Sequence, residues 1–486
     1  MNTKEIIKEL EKLKKNIPDL IVKKIKVSPF KCIYIITNET VSSSDRVNNF
    51  ILKYFSNKSI INLKVIDNFK KDIKENIPSI NYKSVKTKEE LMEYIFSGFT
   101  IVIYNNEVMA YETRADLDRG VTEPSSEPVI RGPKDSFTEN YNKNIGLIRK
   151  RLKSEHLTLE ELTVGKQTHT KVGIMYMDNI CEENIVTEIK DTINKIEIDG
   201  IFDVNNFKEY VVKRKYTLFP TLIYSEKPDD ASRFLLEGRV IITIENSPSI
   251  IIAPTFFMDY FKNSEDYYHK SFYATFIRMI RFIAFILSII TPALFIAIIT
   301  YDQEILPLSL LINFTEQRSA VPFPAIIEAF VLMFTFELLY EGDSRTPFNR
   351  GTSLSILGAL VLGDAAVNAG LISPIMVIVI SIASLSNLIF IYYDMQGAIR
   401  FWRYILMIFS SFFGLIGFLV GATLLIINLC SIESFGKPYT LPVAPLMIKD
   451  LGDSLIKTSI AKNKKRPSFL TKKNIIREDT KWKKYC

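Results

Sequence analysis

The chain is poor in the residues from which catalytic and metal sites are usually built. Its four cysteines, Cys32, Cys181, Cys430 and Cys486, are far apart and include no Cys-x-x-Cys pair. Its three histidines, His156, His169 and His269, show no ligand spacing among themselves or with the cysteines. That spacing argues against a structural zinc site, and isolated thiols suit a reducing compartment for the soluble part. There is no glycine-rich phosphate loop, and no spacing of Ser, His and Asp singles out a nucleophile. No cofactor is implied, and nothing supports an enzyme. The opening Met1-Asn2-Thr3-Lys4-Glu5 lacks the apolar stretch of a signal peptide.

The most informative absence is that of lysine between Lys270 and Lys437. That stretch holds nearly all of the long apolar runs. From Met1 to about His269, lysines and acids are scattered among short ones. A chain of 486 residues has room for two or three domains. The split reads as a soluble region, a membrane region and a short basic tail. The net charge of +7 is concentrated: from Lys457 onward, 11 Lys and Arg stand against Glu478 and Asp479. The basicity is therefore a tail and no nucleic-acid groove. Beside a membrane domain such a tail is cytoplasmic, either touching anionic lipid headgroups or serving as a disordered solubilising arm.

In the soluble half, residues 1–29 carry Glu and Lys at helical spacing around Ile6, Ile7, Leu10 and Leu13. This predicts a helical arm ending near Pro18. The run Lys31 to Ile36 reads as a buried strand, and Ser42 to Asp45 as a cap cluster leading into a helix through Val47, Phe50, Ile51, Tyr54 and Phe55. Glu89 to Phe96 reads as a helix, and Phe99–Tyr104 with Glu107–Tyr111 as a hairpin around Asn105-Asn106. A loop rich in Glu, Pro and Ser, Thr122 to Pro128, separates a second unit. There Asn140 to Leu152 reads as a charged helix, Lys166 to Met177 as a strand and Cys181 to Ile193 as a helix. Phe219 to Tyr224 and Arg239 to Glu245 read as further strands. The expected architecture is two α/β subdomains, 30–120 and 130–255, ahead of an α-helical polytopic membrane domain, 278–435, and a tail, 436–486.

In the membrane half, Arg278 and Arg281 precede an uncharged run from Phe282 to Ile299, long enough to nearly cross a bilayer. The arginines place the soluble half in the cytoplasm. Tyr301 to Glu316 suits the outer side. Pro322 and Pro324 open a second run to about Tyr340. Ser353 to Leu371 and Pro374 to Tyr393 form a hairpin around Ser373-Pro374, and Trp402 to Cys430 is long for one span. Five spans would put the basic tail outside, against the charge rule. Either the last segment doubles back or a glycine-rich segment is re-entrant, so four to six spans are expected.

Three carboxylates, Glu328, Glu337 and Asp364, fall within these runs, with no Lys or Arg at the same depth in sequence. A charge near the bilayer midplane costs on the order of 3 kcal/mol, so such acids are functional or paired. Glu328 and Glu337 lie about 180° apart on a helix. Asp364 and Asn368 are four apart and share a face. Two readings stay open: an acid lining a water-filled path in an oligomer, or interhelical hydrogen bonding. Small residues at Ser355, Ala359 and Gly363, and the pair Gly417 and Gly421, mark close helix packing within or between chains.

The order of motifs then becomes recognisable. Arg131-Gly132-Pro133-Lys134-Asp135-Ser136-Phe137-Thr138-Glu139-Asn140, Asn144 and Leu147 to Leu152 resemble the signature of the GerA-type germinant receptor A subunit. The likeness continues through Val164-Gly165 with Thr168 and Thr170, Tyr224 to Asp229, and Leu236 to Val240. It extends through Val321 to Pro324, Glu328-Ala329, Thr335 to Glu337 and Gly370 to Pro374, and ends near Pro442 to Asp450. The resemblance implies a role in endospore germination, in a spore inner membrane complex with a transporter-like B subunit and a lipoprotein C subunit. It implies an A subunit that forms the channel as a homo-oligomer; a structural assembly subunit with the pore or nutrient site in a partner stays open, and a secondary transporter ranks last for want of an internal repeat. The family commonly carries Gln where this chain has Asp364, and a proline within Ser384 to Tyr393 that is missing here. In the signature run, Gly132-Pro133 sets a turn, and Asp135 or Ser136 is placed to cap a helix from near Phe137. Arg131, Arg149 and Arg151 sit either on a solvated helix face or at a subunit or subdomain contact.

Overall fold

The structure, a computed structural model, describes residues 3–28, 31–48, 82–104, 107–115, 131–212, 217–345, 363–459 and 463–477. Phe50 to Phe55, Asn105-Asn106, Thr122 to Pro128, and the expected run from Ser353 as far as 362, with Ser355 and Ala359, lie outside them. The chain divides into two compact units. One comprises Met1–Lys215, Leu222–Thr255 and Ile460–Cys486; the other comprises Tyr216–Thr221 and Phe256–Ser459.

The first unit holds two five-stranded sheets, and every strand pairing in both is antiparallel. In the first sheet the order is β1 (Leu20–Ser28), β2 (Lys31–Asn38), β4 (Phe99–Tyr104), β5 (Glu107–Glu112), β3 (Tyr82–Ser84). Helices α1 (Thr3–Leu13) and α3 (Lys88–Phe96) share its core: Ile6, Leu10, Leu91, Ile95 and Phe96 pack with Ile36, Ile101, Ile103 and Val108. Thr87 opens α3 with a capping box to Glu90. The short α2 (Ser44–Arg46) takes Ser43 as its cap. The helical arm expected over 1–29 is only half helix. Beyond Pro18 the β-branched residues Ile21, Val22 and Ile25 favour extended backbone, and Leu20–Ser28 joins β2 as a hairpin.

The second sheet runs β6 (Leu157–Val164), β7 (Thr170–Met177), β9 (Val240–Ile244), β10 (Ile250–Ala253), β8 (Ile223–Ser225). β9 and β10 are buried at every position, which is why they read as unbroken apolar runs without alternation. Helices α4 (Tyr141–Arg151) and α7 (Pro228–Glu237) pack on this sheet; α5 (Glu183–Asn194) and α6 (Val204–Val211) pack on each other. Pro228 occupies the first turn of α7, where its missing N–H costs nothing, and Gly238 ends it with φ +98°.

The second unit is helical: α8 (Ser271–Thr300), α9 (Leu308–Arg318), α10 (Ala325–Arg345), α11 (Pro374–Asn387) and α12 (Tyr393–Cys430). Two of these, α8 and α12, are long and apolar enough to cross a membrane by length and composition. α8 begins eleven residues before the expected uncharged run, so Arg278 and Arg281 lie inside the helix. The chain breaks between α11 and α12 although no proline stands there.

α12 is two arms. Gly414 has φ +57° and ψ −138°, outside helical geometry. A Cβ on Gly417 would collide with the carbonyl of Phe409, and one on Gly421 would touch Leu406. Residues eight apart in a straight helix are separated by about 12 Å, so the second arm returns along the first. The reversal is held from the end of α8. The Tyr301 hydroxyl donates to the Ser411 carbonyl at 3.0 Å, and the Leu415 N–H donates to Asp302 Oδ2 at 2.9 Å.

Candidate functional site

The Arg-Gly-Pro segment builds the entry to α4. Arg131 and Gly132 lie exposed in a bend with Pro133 half-buried beside them. Phe137 is fully buried, and its N–H donates to the Glu226 carbonyl. The cap is Asn140, whose Oδ1 accepts from the Lys143 N–H at 3.0 Å. Asp135 and Ser136 do not cap the helix, because Phe137 enters the core and α4 starts only at Tyr141. Asn144 reaches back: its Oδ1 accepts from the Thr138 N–H at 2.8 Å, and its Nδ2 donates to the Thr138 and Ser247 carbonyls. Glu139 and Asn140 border an open polar depression with Lys143, Lys171 and Glu245.

Two arginines of α4 are ion-paired. Arg151 Nη2 donates to both oxygens of Asp135 at 2.6 Å. Arg149 is wholly buried: Nη2 donates to Asp19 Oδ1 at 2.7 Å, Nη1 to the Leu157 carbonyl, and the guanidinium lies over the Phe96 ring at 5.6 Å. Asp19 also accepts from the Thr40 hydroxyl. Arg149 is thus off the solvated face. It touches residues of the first sheet's neighbourhood (Asp19, Phe96) and of the second sheet (Leu157).

In the helical unit, two of the three acids have cross-helix partners that linear depth did not reveal. Glu328 is 1 % exposed. It accepts from the Ser373 N–H at 2.5 Å and from the Ser373 hydroxyl, at the start of α11, and lies 3.8 Å from Arg318 Nε at the end of α9. Glu337 Oε2 pairs with Arg400 Nη1 of α12 at 2.6 Å. Arg400 also lies over the Tyr340 ring at 4.9 Å. The two acids do point to different neighbours, as their 180° separation requires. Asp364 and Asn368 are exposed on the helical turns 363–368, and among the described residues neither has a polar partner. Gly363 has open space around it, whereas Gly417 and Gly421 face their own chain.

Several residues escaped the sequence reading. Arg403 is buried among α8, α10 and α11. Arg278 and Arg281, read as flanking charges, belong to a buried cluster. Arg278 donates to Asp266 Oδ2 at 3.0 Å and Asp453 Oδ1 at 2.9 Å, and Arg281 to Asp266 at 2.8 Å. Lys457 Nζ donates to the carbonyls of Asp266 and His269. Burial pushes the Asp266 carboxyl up, but the Arg281 hydrogen bond and both arginine charges outweigh it and hold it below its ordinary value. Burial and Arg278 push the Lys457 amine down. The tail is no loose arm over its described length. Leu470 is fully buried, Arg466 Nε donates to the Leu236 carbonyl at 2.7 Å, and the Thr471 hydroxyl donates to the Ile180 carbonyl. The sequence signal for this is the apolar residues Phe469, Leu470, Ile475 and Ile476 within a basic run. Among the described residues no cluster of His, Cys, Asp and Glu is placed to hold a metal.

Comparison with known proteins supplies the context. The family model described as the Bacillus/Clostridium GerA spore germination protein matches residues 8–469. Spore germination protein KA of Bacillus subtilis (strain 168) is 33% identical over 470 residues, covering 95% of this chain and 85% of that protein. Spore germination protein XA of Bacillus anthracis is 31% identical over 386 residues, covering 79% and 78%. A Bacillus subtilis protein named as the uncharacterized membrane protein YfkQ is 30% identical, covering 99% and 94%. The crystal structure of the N-terminal domain of the A subunit of the Bacillus megaterium spore germinant receptor GerK3 aligns with a TM-score of 0.40 at 22% identity, covering 52% of this chain and 94% of that one. Matched over nearly its whole length, the chain belongs to the GerA family of spore germination proteins.

Proposed function

We propose that the chain is the A-type subunit of a nutrient-responsive germinant receptor in the spore inner membrane and forms, as a homo-oligomer, its ion path. The observation that carries the channel reading is the division among the acids. Glu328 and Glu337 are engaged within the chain, whereas Asp364 and Asn368 face outward together from an apolar helical unit. A carboxylate exposed in such surroundings is costly against lipid. Around an oligomer axis the same residue makes a ring that favours cations. The partners are a transporter-like B-type subunit and a lipoprotein C-type subunit, with the membrane lipid around them.

Two features support an even number of membrane crossings. The described tail belongs to the same compact unit as the sheets, so chain before α8 and chain after α12 lie on one side of the membrane. The number of crossings is then even. The Gly414 reversal supports reading α12 as two passes instead of one, which suits an even count within the expected four to six. The charge rule puts the sheets and tail in the cytoplasm.

The test is co-reconstitution of the chain with its B-type and C-type partners in liposomes, with ion efflux followed on nutrient addition. Nutrient-dependent efflux that requires this chain supports the reading. Efflux from the partners alone would make the chain an assembly subunit, with the pore elsewhere.

A further inference from the structure

Arg403 is a buried guanidinium without a counter-charge. It is 1 % exposed. Nε donates to the Ser288 carbonyl at 2.6 Å, Nη2 to the Ser288 hydroxyl and to the Ala383 carbonyl at 3.1 Å, and Nη1 lies 3.6 Å from the Met333 sulfur. Among the described residues no carboxylate is within ion-pair distance of it. Neutral acceptors satisfy its N–H groups, and the carboxylate that acts on its charge, Glu337, does so from beyond ion-pair distance while bound to Arg400, an arrangement that is expensive in a low-dielectric interior.

The register of α10 against α12 shows where a counter-charge lies. Met333 stands against Arg403, and Glu337, one turn along α10, stands against Arg400. Two contacts, four residues apart on one helix and three on the other and running in opposite senses, define an antiparallel ladder. Its next rung on α10 is again an acid, Glu341, at the same spacing of four. A displacement of α10 by one turn, about 5.4 Å, would bring Glu337 to Arg403 and Glu341 to Arg400. Met333 would leave the ladder.

We propose that α10 has two registers on α12, and that the receptor changes state by a one-turn shift that moves Glu337 from Arg400 to Arg403. Element-on-element ratchets of this size are a known form of switching. In the register seen here, one ion pair forms and one cation is stranded. In the shifted register, both cations are paired. The favourable charge pairing of the shifted state is offset by what α10 gives up, the Glu328–Ser373 and Tyr340–Gln396 hydrogen bonds and the contacts around Met333, which leaves two states close enough for a ligand to choose between them. This rests on reading the chain as part of a nutrient-responsive receptor, but it does not require that the chain itself conduct ions.

Met333→Glu places a carboxylate against Arg403 without any shift, and Met333→Gln is the neutral control of equal size. Two measurements are made: the thermal unfolding midpoint of the purified full-length chain in mild detergent, and nutrient-triggered germination of spores carrying each variant at matched receptor level. The expected result is a midpoint several degrees higher for Met333→Glu than for Met333→Gln. Germination should fall more than tenfold for Met333→Glu and stay within about twofold of the parent for Met333→Gln. A Met333→Glu chain no more stable than Met333→Gln overturns the idea, because Arg403 then lacks nothing. A more stable Met333→Glu chain that germinates normally also overturns it, as does equal loss in both variants. Germination, unlike ion flux, separates these outcomes from failure of the channel reading.

Discussion

Arg149 shows how much one side chain can be asked to hold. Its guanidinium is buried between Asp19, Phe96 and the Leu157 carbonyl. Removing one member of such a pair leaves the other charged and buried, which costs about 3–5 kcal/mol. Arg149→Ala should therefore lower the unfolding midpoint of the full chain sharply. Changing Asp19 and Arg149 together to apolar residues should recover most of the loss. Midpoints of the single and double variants check this, and additive losses would show that the pair does not act as a unit. Cys181 gives a second prediction at this scale. Burial pushes its thiol up to about 12, above its ordinary value of 9.0. A raised folded value means that the contribution to stability is whole below pH 9 and is lost as pH rises from there toward 12. The loss is at most about 1.4 kcal/mol per pH unit. Unfolding measured from pH 8 to 11 should fall more steeply for the parent than for Cys181→Ala. Equal slopes would mean that the thiol ionises freely in the folded chain.

At the scale of elements, the reversal within α12 is the decisive feature. Beyond Arg403 its residues are uncharged, so the sequence reads as an over-long run that could double back, without a signal that places the turn; the turn is a single glycine with Tyr301 and Asp302 against it. Gly414→Ala combines an unfavourable positive φ with a Cβ pressed against both side chains. It should cost at least about 1–2 kcal/mol and loosen the return arm. Cys430 serves as the reporter: with the reversal intact it is labelled by a membrane-impermeant maleimide from the same side as the tail. Labelling from the opposite face in the parent chain would contradict the returning arm.

Legibility from sequence followed a physical divide. Hairpins and capped helices such as Phe99–Glu112 and the helix after Asn140 were readable because their signals are local: alternation, cap residues and turn residues within a few positions. β1 was missed because Lys23, Lys24 and Lys26 continue the charged character of α1 into a strand. β10 was missed because four residues, Ile250–Ala253, give too short a period to read. Among the polar groups of the helical unit, the acids could be picked out by their cost, but their partners could not. Arg318, Ser373 and Arg400 lie 10, 45 and 63 positions from the acids they meet, and no spacing rule connects them.

Across the whole molecule, a sheet-bearing unit that includes the described tail is continuous in sequence with a helical unit in which Glu328, Glu337, Arg278 and Arg281 have partners. Among the described residues Arg403 is buried without an ion-pair partner, and Asp364 is exposed beside Asn368 on one helical face. If that face lines an oligomeric path, the carboxylate sets the preference for cations over anions, and the amide four residues on shares the same wall. The most direct measurement is the reversal potential of the reconstituted receptor under a salt gradient, for the parent, Asp364→Asn and, as control, Glu337→Gln. The account predicts that Asp364→Asn moves the reversal potential toward that of a non-selective pore, while Glu337→Gln leaves it in place. An unchanged reversal potential in Asp364→Asn would contradict it.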